Sequence, residues 1–401
     1  MSSSPSAFEE LGVRQEQARP WDRKTLITCL NQGLEMAHEQ NLPLSWLTDA
    51  AYGFTCDHVW EETLRPRVPG VPGGPACGPD DAISTAGQAL AIALVAIAER
   101  QHRHRAVTED TLRRCLNAGV LSGEAQDLVT YFHSESTRDL GRAVESEAAL
   151  RTLAARGGRM SPSAVKGLVH LWRRAGRFRD IEAALETLPA GPVRSRLAGD
   201  LWWSQARFDL ADDSYLAARD AAWQQGTVGE SALSESCRAF AAGFGDRDAA
   251  LRTADSAAEL LAAVDIRWAG LQVSLGRLLA AAGSDPGLGE RCEDLARAAR
   301  SAGLSSSAAY VELVRGFDGA VRQDSEALST ARKNLLAHTE VGAAGARQFG
   351  YLLDIIGFWQ TADLPTPTVP GSTAEWIDGV GTTADRWRET VRRRRAPTAR
   401  H

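Results

Sequence analysis

Acidic side chains stand next to each other at two places in this sequence, and paired carboxylates are a common basis of acid and base catalysis. The pairs are Glu61-Glu62 and Asp212-Asp213. Adjacent residues on a helix point in different directions, so the two carboxylates of each pair diverge instead of meeting at one reacting bond. We therefore expect both pairs on solvated surfaces, and the sequence predicts no catalytic residues.

Patterns that bind metals or nucleotides are equally sparse. His102 and His104 point to different faces of a helix, and Cys56, Asp57 and His58 together supply fewer ligands than a structural zinc site needs. The chain has neither the GxxxxGK loop of common NTPases nor a strand followed by GxGxxG. The sequence thus predicts no metal and no cofactor.

The composition of the chain predicts helices as the elements that position any functional residues. The chain has 401 residues, of which 44% are hydrophobic, and Trp makes up 11 of the aromatic residues. Alanine is abundant and runs of β-branched residues are few, which favours closely packed helices over sheets. The net charge of −6 gives no overall attraction to nucleic acid or to an anionic membrane. We therefore predict an all-α protein, and no association with membranes because the longest apolar run, residues 86–98, is too short to span a bilayer.

The cysteines and the amino terminus predict a cytoplasmic location. The cysteines lie tens of residues apart without a CxxC pair, so they are expected to be reduced and mostly buried. The first residues, MSSSPSAFEELGVRQEQ, lack the apolar stretch of a signal peptide. The six cysteines are Cys29, Cys56, Cys77, Cys115, Cys237 and Cys292.

Shifts in composition divide the chain into four parts. Residues 1–21 are expected to form a flexible leader, and residues 22–150 an N-terminal helical domain. That domain is interrupted at 65–80 by an exposed linker, since five Pro and four Gly in 16 positions allow no helix. Residues 160–362 are expected to form a domain of helical repeats, and residues 363–401 a Pro-rich linker followed by a basic tail.

Small residues that can form turns recur through the repeat domain. They are Gly176, Ala206, Gly245 and Gly283, with a fifth, less clear turn near Gly319. The intervals of 30 to 39 residues between them are typical of repeated two-helix units and too long for heptads. The spacing predicts antiparallel helix pairs, each turning at one of these small residues.

One of these units matches the pattern of a known family. Its distinguishing positions are Gly199 and Trp202 before the turn, then Phe208, Ala211, Tyr215 and Ala218 after it. The stretch from about 160 to 340 resembles the tetratricopeptide repeat family, with the other units degenerate; the third has Arg238 where the glycine would be. The resemblance implies an α-α superhelix of helical hairpins, although a different solenoid of helical hairpins stays open.

The same resemblance implies a groove that holds a partner, because the first helix of each unit lines a concave surface in that family. The matching positions here are Lys166, His170, Arg173, Arg196, Asp200, Trp203, Glu235 and Arg277. On the two better units these positions lie opposite the apolar face, so we expect them not to be needed for packing. A net basic surface containing Trp is typical of interaction sites and predicts an acidic peptide or partner segment. Because Trp202 and Trp203 are adjacent, the sequence does not decide which of them faces the groove.

Three functions fit these features. The first is a non-catalytic protein-protein interaction adaptor or regulatory sensor that binds an acidic segment in the groove. The second is an effector or enzyme with its site in residues 22–150, for which the repeats serve as the sensor. The third is a nucleic-acid-associated regulator that uses the arginines of a flexible tail, Arg392, Arg393, Arg394 and Arg395. The sequence leaves the oligomeric state open.

Overall fold

The protein is all-α over the residues that the structure, a computed structural model, describes. Those residues are 6–18, 23–40, 42–56, 83–100, 105–264, 266–301, 304, 307–339, 348–364 and 371–395. This part of the chain forms nineteen helices and no strand, which confirms the predicted fold class. None of these helices is both long and apolar enough to cross a membrane. The linker predicted at 65–80 lies outside the described residues.

The chain divides into two compact units, of which the first comprises Met1–Val165 and Gly226–Val228 and the second Lys166–Gln225 and Gly229–His401. The division falls inside helix α8 (Ser161–Arg174). The helices before it are α1 (Ala7–Gln17), α2 (Arg23–Gln40), α3 (Ser45–Cys56), α4 (Ala86–Glu99), α5 (Arg105–Asn117), α6 (Gly123–Asp139) and α7 (Ala143–Ala155).

Helix α1 occupies most of the segment that was predicted to be a flexible leader. The Ser6 hydroxyl accepts a hydrogen bond from the Glu9 backbone N–H at 3.3 Å, and the Glu9 carboxylate accepts one from the Ser6 N–H at 2.9 Å. This reciprocal capping box stabilises the start of the helix. The Phe8 ring is buried and lies 5.2 Å from the Trp46 ring of α3. The prediction of a flexible leader was therefore wrong for residues 7–17.

The second unit consists of helical hairpins that follow one another along the chain. After α8 its helices are α9 (Phe178–Thr187), α10 (Pro192–Ser204), α11 (Phe208–Gln224), α12 (Val228–Ala242), α13 (Arg247–Leu261), α14 (Arg267–Ala281), α15 (Leu288–Ser301), α16 (Ala308–Arg322), α17 (Ser325–Thr339), α18 (Gly350–Gln360) and α19 (Val380–Arg395). Gly176, Ala206, Gly245 and Gly283 lie in turns between helices, as the spacing predicted. The fifth turn lies at Gln323, which is in the left-handed region at φ 60°, because Gly319 belongs to α16.

Close contact between the two helices of a hairpin depends on small residues, and Gly199 gives the clearest case. A Cβ atom added at Gly199 of α10 would lie 2.6 Å from the Tyr215 ring of α11. Such a distance is well inside van der Waals contact, so only glycine fits without movement. The small Gly199 and the large Tyr215 of the repeat pattern are therefore complementary in size.

The inner helices of the second unit, which are α8, α10, α12, α14 and α16, enclose its interior because α18 packs against the first hairpin, formed by α8 and α9. The Phe349 N–H donates to the Arg174 carbonyl at 2.7 Å. One residue into α18, the Tyr351 ring lies 5.6 Å from the Phe178 ring of α9. The start of α18 thus packs against the turn between α8 and α9. As a result, the face that the inner helices share is buried.

The C-terminal helix α19 packs into the second unit. Trp387 is fully buried and makes edge contacts with the rings of Phe208, Phe244 and Trp359. Its indole N–H donates to the Ser204 carbonyl at the end of α10, at 3.1 Å. The tail predicted to be flexible and basic is therefore an ordered helix over residues 380–395.

Three of the four tail arginines cap other helices. Arg392, Arg394 and Arg395 donate to the carbonyls of Ala362, Gly243 and Ala320 at 2.9, 2.5 and 2.9 Å. These carbonyls lie at the carboxyl ends of α18, α12 and α16, where the helix has no N–H partner for them and where the helix dipole favours a cation. Arg393, with its side chain 79% exposed, caps no helix and pairs with Glu389. The prediction that these arginines belong to a flexible tail was wrong, because they lie in a helix.

Candidate functional site

The inner helices of the second unit surround a small cleft, which we call the inner cleft. Its polar lining comes from Arg173 of α8, Asp200 of α10, Tyr215 of α11 and Gln272 of α14. Its aromatic walls are Trp203, Phe240, Trp268 and Tyr310, from α10, α12, α14 and α16. The cleft contains about 240 Å³ free of protein atoms, its open side included, and encloses room for about one water molecule.

An ion pair between neighbouring helices fixes the polar side of the cleft. The Arg173 Nη1 atom lies 2.7 Å from Asp200 Oδ2, and the Tyr215 hydroxyl donates to Asp200 Oδ1 at 2.8 Å. Burial is the largest single influence on the pKa of the Arg173 guanidinium and lowers it, but the Asp200 carboxylate and the neighbouring tyrosines together raise that pKa well above its usual value. Burial and the same carboxylate raise the pKa of Tyr215, which keeps its hydroxyl protonated as the donor. Arg173 is therefore a fixed, permanently charged group.

A second buried arginine supports this pair. Arg196 of α10 is 0% exposed, and its Nε donates to the Glu230 carboxylate at 2.5 Å. Its Nη1 lies 3.9 Å from Asp200 Oδ2, and neither Nη1 nor Nη2 has a hydrogen-bond partner among the described residues. Removing either member of such a buried pair leaves an uncompensated charge, which is strongly destabilising. Arg196 thus adds a second positive charge near the Asp200 oxygen that Arg173 contacts.

Two polar groups on the cleft have hydrogen-bonding capacity that the described residues leave unused. Arg173 bonds to Asp200 through Nη1, while its Nε has no partner, and no described acceptor bonds to its Nη2. Nε and Nη2 form the lateral edge of a guanidinium, which can donate two parallel hydrogen bonds to one carboxylate. Gln272 is 8% exposed, and its amide bonds to no described residue. A buried guanidinium N–H without a partner costs stability, so the Nε of Arg173 indicates where a ligand atom or water would bind. The Gln272 amide keeps contact with solvent, so water can satisfy it.

The structure brings together only part of the predicted groove. Arg173, Asp200 and Trp203 line one cleft, and the Arg196 guanidinium lies 3.9 Å from the Asp200 carboxylate. Lys166 is buried and lies two helical turns before Arg173 on α8, and His170 is half-buried and lies one turn before it.

The last two predicted groove residues lie elsewhere. Glu235 is buried but pairs with Arg219 and Arg238, at 3.3 and 3.5 Å. Arg277 is exposed and pairs with Asp255 of α13 at 2.8 Å. Neither residue lines the inner cleft.

The expectation that these groove positions are not needed for packing was wrong. Arg196, Asp200 and Trp203 are 0%, 3% and 2% exposed. Trp203 lies at the centre of an aromatic cluster, 5.1 Å from the Phe240 ring and 6.3 Å from the Trp387 ring. The physical reason is that α16, α18 and α19 close over the face that an open solenoid would leave to solvent. Trp202 is the more exposed of the two tryptophans, and the Arg207 guanidinium lies 4.8 Å from its ring centre.

Six of the nine lining residues were not predicted as site residues from the sequence: Tyr215, Cys237, Phe240, Trp268, Gln272 and Tyr310. The helical spacing in the sequence contains a signal for these residues. The predicted positions on α8 and α10 follow the spacing i, i+4, i+7. The same spacing beginning at Trp268 reaches Gln272, and beginning at Tyr310 it reaches buried Phe317. Extending one register through every inner helix would have found these residues.

The fold and the site together define the second unit as an all-α stack of helical hairpins with a polar, aromatic-walled inner cleft. Comparison of the chain with protein-family models and with curated proteins finds no match. Among the described residues, no cluster of His, Cys, Asp and Glu side chains is arranged to hold a metal ion.

Proposed function

We propose that this protein is a non-catalytic interaction adaptor or regulatory sensor whose second unit recognises an acidic group in the inner cleft. The observation that carries the proposal is the lateral edge of Arg173, which lines the cleft without an acceptor among the described residues. Asp200 holds this guanidinium in place through the opposite nitrogen, so the edge is oriented before any partner arrives. A pre-oriented, charged donor pair raises affinity because little side-chain freedom is lost on binding.

The arrangement of helices supports a tetratricopeptide-like description of this unit. Its hairpins turn at the residues that the repeat spacing predicts, and Gly199 packs against Tyr215 as matched small and large residues. In repeats of this kind the first helices contribute the recognition surface. Here the first helices supply Arg173, Asp200 and Gln272.

The chemistry of the cleft favours binding over catalysis. Burial raises the pKa of the Cys237 thiol, so the thiolate that a nucleophile would need is disfavoured. Both oxygens of Asp200 already accept from, or pair with, protein donors. The same proposal includes a cytoplasmic location, which suits the free, buried Cys29, Cys115, Cys237 and Cys292.

The nucleic-acid alternative has less support. Arg392, Arg394 and Arg395 donate to helix-end carbonyls, so phosphate would have to compete with these contacts. The inner cleft is therefore the better candidate for the recognition site.

A capture experiment tests the proposal. The tagged full chain, Arg173→Gln and Arg173→Lys are used to capture proteins and small molecules from extract of the native cells, at low and at high salt. Arg252→Gln is the control, since Arg252 is an exposed arginine of α13. We expect an acidic binding partner to be lost with Arg173→Gln, weakened with Arg173→Lys and retained with the control, and its capture to fall with salt. An unchanged set of bound molecules for Arg173→Gln would contradict the proposal.

A further inference from the structure

The space in the inner cleft is about that of one water molecule, which limits what can be enclosed there. We propose, resting on the function above, that the cleft binds one chloride ion at the lateral edge of Arg173. Chloride competes there with the acidic group of the partner, so the chloride concentration regulates recognition. The free donors, the net charge, the size and the surroundings of the cleft each support this assignment.

The free hydrogen-bonding groups on the cleft favour an anion over a cation. The Nε atom of Arg173 is buried without a partner among the described residues, and a guanidinium offers only donors. The Asp200 carboxylate is already engaged, since Oδ1 accepts from the Tyr215 hydroxyl at 2.8 Å and Oδ2 lies 2.7 Å from Arg173 Nη1. A cation would therefore be repelled by Arg173, whereas an anion accepts the hydrogen bond that Nε can donate.

The charges around the cleft favour one negative charge on this ion. The Arg196 guanidinium is 0% exposed and lies 3.9 Å from the Asp200 oxygen that Arg173 also contacts. Two guanidiniums near one carboxylate oxygen lessen the repulsion between Asp200 and an anion bound at Arg173. Glu230 balances the charge of Arg196, whose Nε donates to it at 2.5 Å. These four groups therefore have no surplus positive charge, which argues against a dianion.

The size of the cleft favours a single atom over a molecular anion. A chloride ion is only slightly larger than the water molecule for which the cleft has room. The walls pack against one another, since the Phe240 ring lies 5.1 Å from the Trp203 ring and 5.8 Å from the Tyr310 ring. A free phosphate, sulfate or carboxylate ion is too large to be enclosed between them. The acidic group of a partner needs to place only one oxygen atom at the same position, from the open side of the cleft.

The aromatic surroundings of the cleft strengthen the attraction between Arg173 and chloride. Trp203, Phe240 and Tyr310 line the cleft and limit its contact with water, and charges attract more strongly where water is scarce. Removing an anion from water costs free energy, and this cost is smaller for chloride than for the more strongly hydrated fluoride. The Gln272 amide, 8% exposed, belongs to the same lining and can donate a further hydrogen bond.

Thermal unfolding of the full chain in sodium chloride and in sodium methanesulfonate, at equal ionic strength, tests the proposal. Methanesulfonate is also a monovalent anion, but it is too large to be enclosed. We expect chloride to raise the unfolding midpoint of the wild type, with half-saturation at about 1 to 50 mM because only one or two charged hydrogen bonds are gained. At ten times the half-saturating concentration the rise should be about 3 to 6 °C.

Two variants with the same chemical change separate this site from other chloride effects. Gln272→Glu should abolish the rise, because it adds a negative charge to the lining and removes no group of the buried network. Gln224→Glu is the matched control, since Gln224 is an exposed residue of α11, and it should keep the rise. Arg173→Gln should also lose the rise, and Gln272→Glu keeps the test valid if Arg173→Gln fails to fold.

Two results of the unfolding experiment would overturn the chloride site. One is the absence of a chloride-dependent rise in the wild type. The other is an equal rise in Gln272→Glu and Gln224→Glu, which would indicate an adventitious ion only. The capture experiment, repeated with chloride in place of methanesulfonate at equal ionic strength, tests the competition. We expect chloride to reduce the amount of captured partner, and equal capture in the two salts would contradict the competition.

The failure of this proposal and the failure of the proposed function give different results. If capture depends on Arg173 but chloride does not raise the wild-type midpoint, the chloride site fails and the proposed function survives. If the chloride rise is lost in Gln272→Glu but capture does not depend on Arg173, the proposed function and the competition fail while the chloride site stands.

Discussion

Replacing Trp387 with alanine should destabilise the second unit severely, because α19 is part of its core. The Trp387 side chain is 0% exposed and contacts aromatic rings of α10, α11 and α18. Truncating a buried Trp to Ala costs about 3 to 5 kcal/mol of unfolding free energy. The Ser204 carbonyl also loses the indole N–H that bonds to it at 3.1 Å, a contact worth about 1 kcal/mol. We therefore expect a loss in the upper part of that range, a large share of the 5 to 15 kcal/mol typical of a folded domain.

Urea denaturation monitored by tryptophan emission measures this loss, since most of the tryptophans lie in the second unit. Trp223→Ala is the matched control, because Trp223 of α11 is 61% exposed. The control should change the free energy of unfolding by less than about 0.5 kcal/mol. Equal midpoints for Trp387→Ala and Trp223→Ala would refute the conclusion that α19 belongs to the core, and would restore the description of residues 363–401 as a tail.

Two further predictions concern the stability of the second unit. Burial raises the pKa of Asp354 to about 6, so its contribution to stability is greatest at low pH and is lost as the pH rises from about 4 to 6. Asp354→Asn should therefore gain stability relative to the wild type by up to about 3 kcal/mol between pH 4 and pH 8 in urea titrations, and a difference that does not vary with pH would contradict this reasoning. Gly199→Ala should cost about 1 to 3 kcal/mol because the new Cβ meets the Tyr215 ring. Gly270→Ala in α14, where a Cβ meets nothing within 4 Å, should instead stabilise by about 0.5 to 1 kcal/mol in the same thermal or urea assay, and equal effects of the two changes would count against the packing described.

The sequence predicts the helices and turns of this protein well, because these depend on local spacing. Gly176 and Gly283 have positive φ and lie at turns that composition alone locates. The direction of the inner face is also predictable, since Arg173, Asp200 and Trp203 follow one helical register and converge on one cleft. Local periodicity is enough to assign residues to a common face.

The sequence does not predict that this face is closed, because closure depends on contacts between distant residues. Phe349 bonds to Arg174, and Arg394 to Gly243, across separations of more than 150 residues. A run of four arginines after a Pro-rich segment has the composition of a solvated tail. Only the positions of the helix-end carbonyls show that three of these arginines act as caps. The same closure converts Trp203 from an expected contact for a partner into a core residue.

The central claim is that the lateral edge of Arg173 receives the acidic group of a ligand, and the arginine Nε–H signals in a ¹⁵N–¹H NMR spectrum test it most directly. The signal that disappears in Arg173→Gln identifies Arg173. We predict that this signal shifts when the acidic partner captured by the wild type is added, and stays in place when the same partner is added with its carboxylates converted to amides. If the Arg173 signal is unmoved by the acidic partner, or moves equally with the amidated one, the claim is contradicted.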